Sequence, residues 1–146
     1  MPVKSALYDQ DFYAWSNQQA ALLRAGRFSA ADVERIAEEI ESMGRSEKRE
    51  LVNRLKVLLL HLLKWQFQPK RRGASWQATI RIQRLELAAH LVDNPSLKTT
   101  IAASMEAAYG IAIIVAAQET ALPEALFPIE SPYDLAQLLD RDFWPE

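Results

Sequence analysis

RLKVLLLHLLKW, residues 54–65, decides how the rest of the chain is read. At 100° per residue, Leu55, Leu58 and Leu62 fall on one stripe with Leu51 upstream and Leu59 beside them, while Val57 and Leu60 lie opposite. A helix apolar on both sides belongs at the centre of a bundle, covered by neighbours all round. The same stretch carries Arg54 and His61 on one face, about 10 Å apart along the axis. That pair is either a small piece of chemistry or two polar residues on a core helix.

Working outward, Ser46 is a fair cap for this central helix, with Glu47 and Glu50 near its positive end, and it runs to about Lys64. Upstream, Asp9–Gly26 places Phe12, Trp15, Leu22 and Leu23 near helical spacing, and Gly26 is a fair stop. Ser29 with Asp32 resembles a capping box for a helix ending near Met43 and Gly44, its apolar face being Val33, Ile36, Ala37, Ile40 and Met43. Downstream, Pro69 and Gly73 break the chain in a loop over residues 66–74. The next helix, about Ser75 to Asp93, is again two-sided. Trp76, Ile80, Leu87 and Leu91 line one face; Ala78, Ile82, Leu85, Ala89 and Val92 line another.

DNPS (93–96) marks a turn into an alanine-rich helix from about Ser96 to Ala121, where Gly110 suggests close approach to a neighbour. Pro123, Pro128 and Pro132 predict an irregular wrap. A short last helix follows, with Ser131 as cap and Asp134 three residues on. No stretch alternates long enough to predict a strand. The fold predicted is all-α: one domain over residues 1–146, a bundle of about five long helices plus a short C-terminal one.

Composition narrows the function classes. Hydrophobic residues are 49% of the chain and charged ones 25%, the balance of a globular domain. With no cysteine, disulfides and thiol nucleophiles are excluded. MPVKSALYDQ (1–10) lacks the apolar core of a signal peptide, and the most apolar run, Ile111–Ala117, is too short to span a bilayer. A cytoplasmic bacterial-type protein with no membrane partner and no cofactor is the expectation.

The charge is strongly segregated. Arg54, Lys56, Lys64, Lys70, Arg71, Arg72, Arg81 and Arg84 all fall between Leu51 and Leu85, with no acid among them. The other nine Lys and Arg face all 19 acids, a net of −10 outside that span. Lys70, Arg71, Arg72, Trp76, Arg81 and Arg84 are therefore the predicted binding residues. Their partner would be an acidic protein, a second copy of the chain, or nucleic acid held by cations and stacked on Trp65, Phe67 and Trp76. The competing possibility is internal pairing, with the tryptophans as core anchors.

LYDQDFYAW (7–15), EEIESMGRSEKREL (38–51), HLLKW (61–65), QPKRRGASWQATI (68–80) and LFP (126–128) together resemble the domain-of-unknown-function family 29. The resemblance implies a helical bacterial protein and assigns no activity. Where that family leads us to expect Cys-Pro-aromatic, this chain has Ser131-Pro132-Tyr133, against any obligatory thiol role. A second resemblance concerns Arg54 and His61 alone. Their spacing is similar to the motif of HEPN-type ribonucleases, which implies a histidine activating a ribose hydroxyl and an arginine stabilising phosphorane charge. Arg84 and His90 have a comparable spacing, and both pairs cannot be the signature.

Other chemistry is weaker. Glu86 and His90 form an i,i+4 pair that would raise the histidine's proton affinity. A metal site would need a third ligand such as His61, so none is predicted. The run Glu38, Glu39, Glu41 reads as a solvated helix face. Tyr8, Tyr13, Tyr109 and Tyr133 could donate protons, but nothing places a substrate beside them.

Overall fold

A computed structural model describes residues 6–146. Six α-helices follow in order: α1 Ala6–Gln10, α2 Phe12–Arg24, α3 Val33–Phe67, α4 Ala74–Asp93, α5 Ile101–Thr120 and α6 Leu135–Leu139. Short 3-10 turns occupy Phe28–Ala30, Pro69–Arg71, Pro95–Thr100 and Glu124–Leu126. There is no strand among the described residues, as the all-α reading requires. The chain forms two compact units divided after Ser46.

Four helices are long, where about five were predicted, because the second and third of those are one. α3 passes straight through Gly44 and Ser46. Gly44 lacks the positive φ of a helix stop, and a Cβ there would meet open space. An interior glycine costs a helix ~1 kcal/mol, which the good helix formers around it, Glu41, Met43, Arg45, Glu47, Lys48 and Arg49, offset.

In the first unit, Asp11 caps α2 by accepting from Ala14 N at 3.0 Å. Gly26, at φ +71°, ends it as predicted. Arg27 N donates to Leu22 O and Gly26 N to Leu23 O, the paired bonds of a Schellman stop. The start of α3 is signalled by Asp32 rather than Ser29. Its Oδ1 accepts from Arg35 N, and its own buried N–H donates to Gln19 Oε1 at 2.7 Å. Trp15 is the buried apolar residue of α2, and the Tyr8 ring meets it edge-on at 4.8 Å. Tyr8 also donates to Glu39 and lies under the Arg35 guanidinium.

In the second unit, the opening stretch is central as expected. Leu51, Leu55, Leu58, Leu59, Leu62 and Leu63 are completely buried. Around them pack Ile80, Leu87 and Leu91 of α4, Ala108, Ala112 and Ala116 of α5, and Phe127, Tyr133 and Leu138 of the C-terminal segment. Truncating one of these leucines to alanine would cost about 2–5 kcal/mol in transfer and cavity terms.

Two expectations fail here. The second apolar face of α4 is not covered: Ala78, Ile82, Leu85, Ala89 and Val92 are all exposed. The core takes the face bearing Ile80, Leu87 and Leu91, and the α6 segment packs on the side of Arg84, so among the described residues none covers the remaining stripe. Gly110 makes no close approach either; it is exposed, with open space where a Cβ would be.

With its preceding turn, α5 (Pro95–Thr120) is by length and composition long and apolar enough to cross a bilayer, at mean hydropathy 1.7. Its inner face nevertheless contributes Ser104, Ala108, Tyr109, Ala112, Ala116 and Thr120 to the buried interior. Ala121 ends it in the left-handed region at φ +58°. The three prolines then carry an irregular segment to α6. Its cap is Asp134, in a reciprocal capping box with Gln137. Ser131 instead closes a local turn with Tyr133, accepting its N–H and donating to its carbonyl at 2.7 Å. That is the role the hydroxyl takes at the position where a cysteine was anticipated.

Candidate functional site

The segregated cations divide into two groups. Arg54 is held by carboxylates of its own chain, at 2.7 Å from Glu50 and in contact with Glu86. Lys64 pairs with Glu119 at 2.9 Å and lies over the Trp76 ring. Arg72 donates to Trp65 O at 2.7 Å and to Pro145 O at 3.3 Å, its guanidinium over the Trp65 ring. Arg84 is only 3% exposed. Its Nε donates to Leu138 O at 2.9 Å, and its Nη2 to Phe143 O at 2.7 Å and Gln137 O at 3.3 Å.

Two of the six predicted binding residues, Arg72 and Arg84, are therefore tethers for the C-terminal segment. Both present a planar fork of donors that matches several carbonyls at once, which an ammonium cannot do. The exposed side chains of Lys70, Arg71 and Arg81 make no hydrogen bond or ion pair among the described residues. The half-buried side chain of Lys56 likewise makes none.

The aromatic half of the predicted nucleic-acid surface is occupied internally. Trp65 packs on Trp144 at 4.7 Å, Phe67 meets Phe127 edge-on at 5.0 Å, and Trp76 carries Lys64. Trp65 and Phe67 pack against the core, whereas Trp76 does not and is covered by the Lys64 ammonium.

Arg54 and His61 are each engaged elsewhere. The His61 Nδ1 lies 2.8 Å from Val57 O, one turn back on its own helix. Burial holds this imidazole below the ordinary histidine pKa; Lys64 pulls the same way, while the Val57 bond opposes. To stabilise phosphorane charge, Arg54 would have to leave both Glu50 and Glu86. The i,i+4 pair of Glu86 and His90 does not form: Glu86 turns to Arg54, and His90 Nε2 donates to Glu47 O at 2.8 Å. An always-charged guanidinium outcompetes imidazole for the carboxylate. No group of His, Asp and Glu suited to a metal occurs among the described residues.

What stands open is the outer side of α4. Ala78, Ile82, Leu85, Ala89 and Val92 share an arc of about 80° along ~21 Å of helix. Ile82, Leu85 and Val92 are 51%, 74% and 78% exposed. Along one edge of this stripe lies a cleft of about 600 Å³, whose lining includes Arg81, Arg84, Leu85, Arg141, Asp142 and Trp144. Arg84 Nη1 is buried and has no hydrogen-bond partner. A second cleft, of about 790 Å³, lies between α5 and the C-terminal segment, with Glu106, Glu130 and Asp134 beside Tyr109 and Tyr133. Burial raises both tyrosine pKa values, Tyr109 to about 12.

Arg141 and Trp144 were missed in the sequence. They lie outside the basic span, some 50 residues or more from Arg81 and Arg84, and no local pattern announces that the tail returns there.

Residues 7–144 match the family described as domain of unknown function DUF29, nearly the whole chain. No curated protein and no solved structure matches it.

Proposed function

We propose, for a chain that belongs to the DUF29 family, that it is a non-enzymatic interaction module docking an acidic amphipathic helix along the outer face of α4. The observation that carries this is the uncovered stripe from Ala78 to Val92 on a helix whose opposite face, Ile80, Leu87 and Leu91, is packed into the core. Apolar positions at this spacing are those with which one helix receives another. Arg81 flanks the stripe, Arg141 lines the adjoining cleft, and Lys70 and Arg71 lie just before the N-terminus of α4, so carboxylates on the incoming helix meet unpaired cations.

Magnitude sets the character of the contact. Covering Ile82, Leu85 and Val92 releases roughly 4 kcal/mol of gross apolar stabilisation. The entropic cost of association is about 4–15 kcal/mol, so the stripe needs the charged rim to hold a partner at all. The reading is therefore of a transient, salt-sensitive contact.

The test compares wild type with Ile82→Glu/Val92→Glu and with Arg81→Glu in crosslinking and sedimentation at low and high salt. The expected result is one predominant partner, lost in the double variant and weakened in Arg81→Glu, with circular-dichroism melts unchanged. Recovery of the same partners by all three proteins would end the reading. Self-association abolished by the same substitutions would identify a second copy as the partner.

A further inference from the structure

We infer that the cleft between α4 and the C-terminal tail is a binding site for a small organic oxyanion, a phosphate or carboxylate carried on an apolar body. Three guanidinium groups, Arg81, Arg84 and Arg141, line it against a single carboxylate, Asp142. None of the three forms an ion pair among the described residues.

Arg84 makes the site more than a basic patch. It is a permanently charged group, almost wholly buried, whose other donors are fixed on main-chain carbonyls while Nη1 has no acceptor. Carbonyl dipoles orient a guanidinium but do not neutralise it. Asp140 attracts this guanidinium through space without forming an ion pair, and a buried charge left so incompletely compensated gains from a directly paired group. An oxyanion supplies the missing acceptor and a paired charge together, and two guanidinium forks can hold its oxygens in bidentate fashion.

The rest of the lining selects what the anion is attached to. Leu85, Ala88, Leu139 and Trp144 give an apolar wall, and the Trp144 ring is fixed between Trp65 and the Arg84 guanidinium, 5.4 Å from its centroid. A volume of about 600 Å³ suits a ring or short chain bearing one anionic group. Inorganic phosphate alone would leave the apolar wall unused.

The cleft shares Leu85, Arg81 and Arg141 with the docking surface, but Ile82 and Val92 do not line it, so Ile82→Glu/Val92→Glu should abolish helix docking and leave anion binding intact. The experiment is calorimetric titration of the intact chain with phenyl phosphate, with benzoate and with neutral benzyl alcohol, at low salt. Binding is expected for at least one anion and absent for benzyl alcohol, and Arg81→Gln and Arg141→Gln should each weaken it about tenfold. Both are exposed, so the variants keep the fold. Preference for phenyl phosphate or for benzoate assigns the anion class. Failure of both anions to bind below about 10 mM, or equal affinity in the Arg81→Gln/Arg141→Gln double variant, overturns the inference.

Discussion

Replacing Arg84 with methionine preserves the apolar stem and deletes every donor that holds the tail to α4. Three carbonyls lose a bond: Leu138 O, Gln137 O and Phe143 O. Gln137 O retains Asp140 N at 3.3 Å, which leaves two carbonyls without partners. At about 1–3 kcal/mol for each unsatisfied buried group, the gross cost is ~2–6 kcal/mol. Relief of guanidinium burial returns part of it, leaving roughly 2–4 kcal/mol net. For a chain of this size that corresponds to a fall in Tm of about 5–15 °C. Arg84→Lys should fall between, because one ammonium cannot span the carbonyls. Thermal melts and urea titration read the stability, and limited proteolysis reads whether the region after Asp134 loosens first. Arg84→Met melting within about 2 °C of wild type would refute the tether, as would unchanged cleavage of the tail.

Four further outcomes follow from the same contacts. Neutralising Lys70 and Arg71 should leave stability unchanged, whereas Arg72→Gln should lower the unfolding free energy by about 1–2 kcal/mol in urea titration as the Trp65 and Pro145 carbonyls lose their donor. Gly44→Ala, at an exposed interior position of α3 with room for a methyl group, should stabilise by about 0.5–1 kcal/mol in urea titration. Tyr133→Phe, which removes a buried hydroxyl bonded to Gln66 and lying 3.2 Å from Leu62 O, should cost about 1 kcal/mol.

His61 sets an acid-side dependence. Its folded pKa lies below the ordinary 6.5, so the unfolded chain takes up the proton first. Its contribution is full above 6.5 and is lost as pH falls toward the folded value. Urea titrations between pH 7.5 and 5 should therefore show a slope that is shallower in His61→Asn.

Helical content, the Gly26 stop and the burial of the leucines between residues 51 and 63 were legible because they depend on local periodicity and backbone geometry. The sidedness of α4 was not. Its two apolar stripes are equivalent in sequence, and which one a neighbour covers depends on where the tail runs. The joining of two expected helices into α3 was missed for a thermodynamic reason: a single glycine is a weak breaker once strong helix formers surround it. At the candidate site, charge segregation pointed to α4 but neither to the tail opposite it nor to the use of each cation. Arg81 and Arg84 differ by three positions and end as a rim residue and a buried tether. Arg141 and Trp144, distant in the chain, complete the cleft that those two begin.

The grip of Arg84 and Arg72 on the tail has an evolutionary corollary. Every amino acid offers the same peptide oxygen, so Arg84 on Leu138 and Phe143 and Arg72 on Pro145 sense the course of the backbone and are blind to its spelling. Constraint then falls on one side of the contact only. Across homologous chains the two arginines should persist while the letters opposite them drift, and pairwise covariation should overlook a junction on which the domain depends.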